Sequence, residues 1–212
     1  MKTLYVSAKS VDISPLKPLR LAGFANRVGV YEKLITPIEA QCLLFRQEDR
    51  EVLLIGADLL WWSADFISRF RPTLAKALGL QEEQILFTAS HNHAGPGTGD
   101  TFLPLLEESS NEYTAYLEEL LFDTCRSLRD YSEEVLLSIH TAQIPYSINR
   151  RKLVNGKVLM EPNPEQSITQ EAKILTLSRK NALKGGHPDV LAHILHYPRH
   201  ATSSAENALH SE

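Results

Sequence analysis

Ile85-Leu86-Phe87-Thr88-Ala89-Ser90-His91-Asn92-His93-Ala94-Gly95-Pro96-Gly97-Thr98-Gly99 is the stretch on which the reading of this chain turns. Its first five residues are apolar or β-branched, as in a short buried strand. The strand runs straight into His-Asn-His and then into a Gly/Pro loop. Ligands of α/β sheets gather beyond the carboxyl ends of strands. Two histidines at i and i+2 there can reach one site if the backbone turns. Gly95, Gly97 and Gly99 allow such a turn and close approach by a ligand. Imidazole is the commonest zinc ligand, and a catalytic zinc keeps three protein ligands and one open position. A histidine beside an apolar strand can equally be a satisfied structural residue. The letters H-N-H do not make the nuclease motif of that name, because no ββα-metal unit surrounds them.

The segments around this stretch predict an α/β fold. Residues 3–13 alternate like a strand, and Pro15, Pro18 and Gly23 then break the chain into a loop. Residues 38–46 and 51–57 predict a hairpin with its turn at 47–50, the second run continuously apolar as if buried on both faces. A helix is expected over 63–78, with Ser63 as N-cap and Gly79 as stop. Another is expected over 111–129. Residues 134–144, 172–179 and 189–197 predict three more strands. The piece from 154 to 167 reads as a long polar loop. The sum is a mixed β-sheet with helices packed on its faces, in a single domain over 1–212 that is incomplete at its C-terminus. Residues 208–211 look like the start of a further element.

Composition bounds the function. Of 212 residues, 43% are hydrophobic and 23% charged, as in ordinary globular proteins. A net charge of −4 with scattered cations excludes a nucleic-acid surface as the expectation. The one tight basic cluster, Asn149-Arg150-Arg151-Lys152, reads as a solvated turn. Cys42 and Cys125 read as small buried hydrophobes, with no metal-type spacing and no disulfide framework. No stretch approaches the about 18 apolar residues of a membrane span. The N-terminus has no apolar core of signal-peptide length, so the expected location is cytoplasmic, or secreted if the natural N-terminus differs.

A second group of histidines ends the last long strand. His193 and His196 fall within it and read as sheet-face residues. His200 follows Pro198 in a loop beyond the strand end, as His91 does, so the two can converge across a sheet. His140, His187 and His210 have no comparable setting. Asp58 ends a strand and is either a ligand or a cap. Trp61-Trp62, Phe102 and Leu103 either line an apolar groove or form a packed rim.

Four blocks, taken in order, resemble the N-terminal catalytic region of the neutral/alkaline non-lysosomal ceramidases. Val11-Asp12-Ile13-Ser14-Pro15 with Leu21-Ala22-Gly23-Phe24-Ala25 is like that family's D-I-T-x-P and M-G-Y-A. Ile38-Glu39-Ala40-Gln41 with Gly56-Ala57-Asp58-Leu59 is like R-A-R-A and S-x-D. Ser90-His91-Asn92-His93-Ala94-Gly95-Pro96 is like T-H-T-H-S-G-P, the most specific of the four. Ile148-Asn149-Arg150 with Tyr197-Pro198-Arg199-His200-Ala201-Thr202-Ser203 is like N-R-S and F-x-x-H-x-T-S.

The resemblance implies zinc held by His91 and His200, with His93 beside the metal and Arg150 on the substrate. It implies hydrolysis of an N-acylsphingosine amide, a small-molecule or lipid substrate, and transient contact with a membrane surface. The family's remaining ligands, a Glu and a Tyr, and its catalytic serine are expected later in a chain of that type than Glu212. Asn92 for Thr, Ala94 for Ser, Arg151 for Ser and the Pro198-Arg199 pair depart from the pattern and bear on the substrate. The rival readings are a hydrolase of another amide or ester, and a non-catalytic domain that retains the fold.

Overall fold

The computed structural model describes residues 2–99, 103, 105–198, 200, 208 and 209. The strands are β1 (Leu4–Asp12), β2 (Lys33–Leu34), β3 (Glu39–Gln47), β4 (Arg50–Ala57), β5 (Ile85–Ala89), β6 (Glu133–Gln143), β7 (Asn149–Val154), β8 (Lys157–Asn163), β9 (Glu171–Lys184), β10 (His187–His196) and β11 (Ala208–Leu209). The helices are α1 (Ala64–Leu78) and α2 (Asn111–Ser127). Seven strands form one mixed sheet in the order β10-β9-β6-β1-β3-β4-β5, as the alternating apolar runs predict. Only β4 and β5 pair in parallel within it among the pairings described, joined through α1 as a crossover.

Contacts gather the chain into two units, residues 1–135 with 201–212, and residues 136–200. The first holds the core. Leu44, Leu53, Ile55 and Ile85 from the sheet and Phe66, Leu74, Leu117 and Leu121 from the helices are fully or almost fully buried. The chain's local signals account for α1. Ser63 Oγ accepts from the Phe66 amide at its start, and Gly79 takes the left-handed conformation (φ 66°) at its end. Ser110 caps α2 in the same way, accepting from the Tyr113 amide. Leu209 of β11 is buried and pairs in parallel with β2, so the element expected after residue 207 exists as a two-residue strand. Cys42 and Cys125 are both buried, their sulfurs 3.7 Å apart, and the contact together with burial pushes the Cys125 thiol well above its ordinary value.

Four expectations need correction. The β4 run is not buried on both faces. Leu53, Ile55 and Ala57 are buried while Val52 is exposed, so its apolar continuity hides an alternation. In β5, Leu86 is also exposed, since that strand is an edge. The expected loop at 154–167 is instead half of a hairpin, β7–β8, turned at Asn155-Gly156 with both φ values positive (50° and 76°). That is the dipeptide and backbone of a tight I′-type turn. The basic cluster at 149–152 is accordingly strand β7 and not a turn.

In the second unit, β9 and β10 form a second hairpin turned at Gly185-Gly186. Tyr197 closes the strand end there, its hydroxyl donating to the Ile144 carbonyl at 2.7 Å and accepting from Ser147.

Candidate metal centre

His91 sits where β5 ends, and its φ is +62°. A left-handed non-glycine residue is held in place only by surrounding structure. Here the restraints are visible on both sides. The Ser90 amide donates to the Ala57 carbonyl and the Asn92 amide to the Leu59 carbonyl, both at 3.0 Å, so the loop is pinned to the segment after β4. Asn92 is fully buried. Its Oδ1 accepts from the Ala94 amide at 2.7 Å and its Nδ2 donates to the Asp58 carbonyl. The departures at residues 92 and 94 are thus both buried in the loop, where Asn92 holds its backbone in place.

The two imidazoles are aimed by backbone carbonyls. His91 Nδ1 lies 2.9 Å from the Leu60 carbonyl oxygen, and His93 Nδ1 3.1 Å from that of Gly23. A carbonyl only accepts, so in each neutral ring Nδ1 carries the proton and Nε2 the lone pair. Donation of the second ring N–H to a carbonyl is the usual support of a metal-ligating histidine. The rings stand edge to face, their centroids 4.9 Å apart.

His93 is buried, and its pocket is built from residues far away in sequence. Phe24 packs on its edge at 5.1 Å, and the buried Arg27 guanidinium donates to the His93 carbonyl at 2.7 Å and to the Ala22 carbonyl at 2.9 Å. Gly23 has φ +100°, and a Cβ there would reach His93 Cγ at 2.6 Å.

His200 is the last residue of the second unit. One ring nitrogen from each of His91, His93 and His200 lies within 4.8 Å of the other two, a group that could hold a metal ion. It is the one such group of histidine, cysteine and carboxylate side chains among the described residues. The donor set suits a borderline-soft divalent metal, because all three donors are imidazole nitrogens.

The other sequence candidates fall elsewhere. His193 is exposed on β10, its Nδ1 3.0 Å from Thr176 Oγ1 on β9, as a sheet-face histidine would be. Asp58 is not in the group. Its Oδ2 accepts from the Glu39 amide and its Oδ1 faces Ser90 Oγ, which ties β3 to the end of β5. Burial raises its carboxyl above the ordinary value, against the pull of those hydrogen bonds. Trp62 is packed in the core, its indole N–H on the Thr88 carbonyl. Trp61 leans on the His91 ring at 6.3 Å. Arg150 is half-buried in β7. Phe102, Arg199, residues 201–203 and His210 lie outside the described residues.

The glycine loop works differently from the expectation. Gly95, Gly97 and Gly99 do not take positive φ; His91 does. Their missing side chains make room for neighbouring protein atoms. A Cβ on Gly97 would meet Glu107 Oε1 at 2.8 Å. Glu107, which the sequence reading passed over, is buried beneath the loop. It accepts from the Trp61 indole at 2.5 Å and from the Thr98 amide at 2.7 Å. Nothing in the Leu-Glu-Glu-Ser-Ser run marks it, since such a run reads as solvated surface. Arg27 was missed for the same reason.

Fold and site thus define a mixed α/β chain with a histidine group, able to take a metal ion, at the strand ends. The same fold occurs in solved ceramidases. Against the neutral ceramidase from Pseudomonas aeruginosa the TM-score is 0.80 at 12% identity, with all of this chain and 34% of that one covered. Against a ceramidase complexed with C2 it is 0.77 at 13% identity, with the same coverage. The chain therefore spans about a third of the length of the ceramidases it matches. No family model matches the sequence, and no curated protein does.

Proposed function

We propose that the chain is the part of a zinc-dependent, ceramidase-type amide hydrolase that carries two metal ligands, His91 and His200. The convergence of His91, His93 and His200 nitrogens within 4.8 Å carries this reading. The fold shared with neutral ceramidase supports it. Zinc, when bound, lowers the pKa of a bound water toward about 7 and polarises a carbonyl.

The protein's own groups then have distinct tasks. Leu60 and its carbonyl fix the His91 ring so that Nε2 presents its lone pair. His93, with its Nδ1 proton committed to Gly23, offers a lone pair at Nε2 and so accepts a proton beside the metal. Arg150 is assigned to the substrate oxygen through the resemblance, where a guanidinium stabilises developing negative charge. The substrate proposed is an N-acyl amide of a lipid.

Metal analysis tests this. After zinc loading and dialysis, the wild-type chain should retain metal, and His91→Ala and His200→Ala should each lose most of it. Zinc content unchanged in both variants would sink the proposal. Fatty acid release from N-acylsphingosine, measured on the longest natural form of the protein, tests the substrate. Release only from other amides or esters would favour a hydrolase of different specificity.

A further inference from the structure

We propose that Glu107 is a positioning residue for His91, acting through the segment that carries the Leu60 carbonyl. The premise is the ligand role given to His91 under the proposed function. His91 Nδ1 lies 2.9 Å from the Leu60 carbonyl oxygen. The aim of the ring therefore depends on where the backbone of residues 58–63 runs.

That backbone is tied down on both sides of Leu60. Before it, the Asn92 amide donates to the Leu59 carbonyl at 3.0 Å, and Asn92 Nδ2 to the Asp58 carbonyl at 3.3 Å. After it, Thr98 Oγ1 donates to the Trp61 carbonyl at 3.2 Å and accepts from the Ser63 amide at 2.8 Å. Ser63 Oγ donates back to the Thr98 carbonyl at 3.1 Å. Glu107 joins the two strands of this second clamp. One carboxylate oxygen accepts from the Thr98 amide at 2.7 Å, the other from the Trp61 indole N–H at 2.5 Å. The Trp61 ring in turn stands 6.3 Å from that of His91.

The chemistry of residue 107 suits this task. Glu107 is only 4% exposed, and burying a carboxylate is costly unless its oxygens are hydrogen-bonded. Two donors that converge on one side chain need two acceptor oxygens. A carboxamide would accept from one donor and turn its own N–H groups toward the other. The glycine loop is shaped around the same carboxylate, since a Cβ on Gly97 would fall 2.8 Å from Glu107 Oε1.

The zinc dissociation constant of the folded protein reads this link. Competition with a chromophoric chelator measures it on the longest natural form of the protein. Removing a hydrogen-bond partner of a metal-ligating histidine costs about 10–100-fold in affinity. Glu107 acts one step further out, so Glu107→Gln should weaken zinc binding by about tenfold. Trp61→Phe keeps a ring beside His91 and removes only the indole N–H. It should weaken binding in the same direction, and in that background Glu107→Gln should cost less than it does alone. Phe70→Leu on α1 loosens the core but breaks none of these hydrogen bonds, so it should leave the affinity unchanged. Circular dichroism checks that each variant is folded, and Trp61→Phe carries the test if Glu107→Gln is not.

Three results would overturn the proposal. Wild-type affinity in both Glu107→Gln and Trp61→Phe, with zinc lost in His91→Ala, would remove the positioning role and leave His91 a ligand. An equal loss in Phe70→Leu would reduce Glu107 to a contributor to stability. Zinc retained in full by His91→Ala would remove the ligand role and the positioning role together.

Discussion

Gly23→Ala probes the link between chain geometry and the histidine group most directly. The new Cβ would run into the His93 ring, 2.6 Å from Cγ and 2.9 Å from Cβ. The ring cannot yield easily, because Phe24 packs on its edge and Arg27 holds its carbonyl. The backbone at φ +100° adds a strain of about 1–3 kcal/mol for a non-glycine residue. Displacing His93 also breaks its bond to the half-buried Gly23 carbonyl and leaves that acceptor unsatisfied, about 1–2 kcal/mol more. The expected loss of stability is about 2–5 kcal/mol. Urea unfolding followed by tryptophan fluorescence reads it, because Trp61 and Trp62 both report on this unit.

The diagnostic measurement is a double-mutant cycle with His93→Ala. Once the ring is gone, Gly23→Ala should keep only its backbone strain, so the two substitutions should couple by about 1–2 kcal/mol. Strict additivity, or a Gly23→Ala variant as stable as wild type, would refute the claim that Gly23 is there to admit and orient His93.

Further outcomes follow from the same geometry. Glu107→Gln should cost about 1–3 kcal/mol, since a carboxamide has one acceptor oxygen for the Trp61 and Thr98 donors. It should also shift Trp61 emission, and an unchanged spectrum and melting curve would count against the bridge. Asp58 gives a pH dependence. Its carboxyl is raised on folding, so the folded state binds the proton more tightly. Stability should therefore fall as pH rises above about 3.8 through the folded value. Asp58→Asn should flatten that limb in pH-dependent unfolding, and a parallel limb in both proteins would exclude Asp58 as its source. Cys42 and Cys125 should stay unreactive toward an aromatic disulfide in native buffer and react in denaturant. Prompt native labelling would contradict their burial.

Much of this protein is readable from local sequence. Ser63 and Gly79 bracket a helix because an N-cap hydroxyl and a left-handed glycine act within one turn of chain. The strand that ends in His91 is legible because apolar runs and Gly/Pro loops are local signals. The Asn155-Gly156 turn was equally local. It was hidden by the prolines and asparagines around it, which argue for a loop, although Asn-Gly between apolar residues argues more strongly for a hairpin.

What sequence alone determined was the pair of histidines at a strand end and the residue types able to serve a metal. Tertiary structure decided how they point. The Leu60 carbonyl that aims His91 is 31 residues away and the Gly23 carbonyl that aims His93 is 70 away, and any residue type supplies a carbonyl. Glu107 and Arg27 gain their roles only when the 58–62, 90–98 and 21–27 segments stack and bury them. Burial turns an ordinary surface charge into a positioning group. Until the chain has folded, neither composition nor spacing marks which charge that will be.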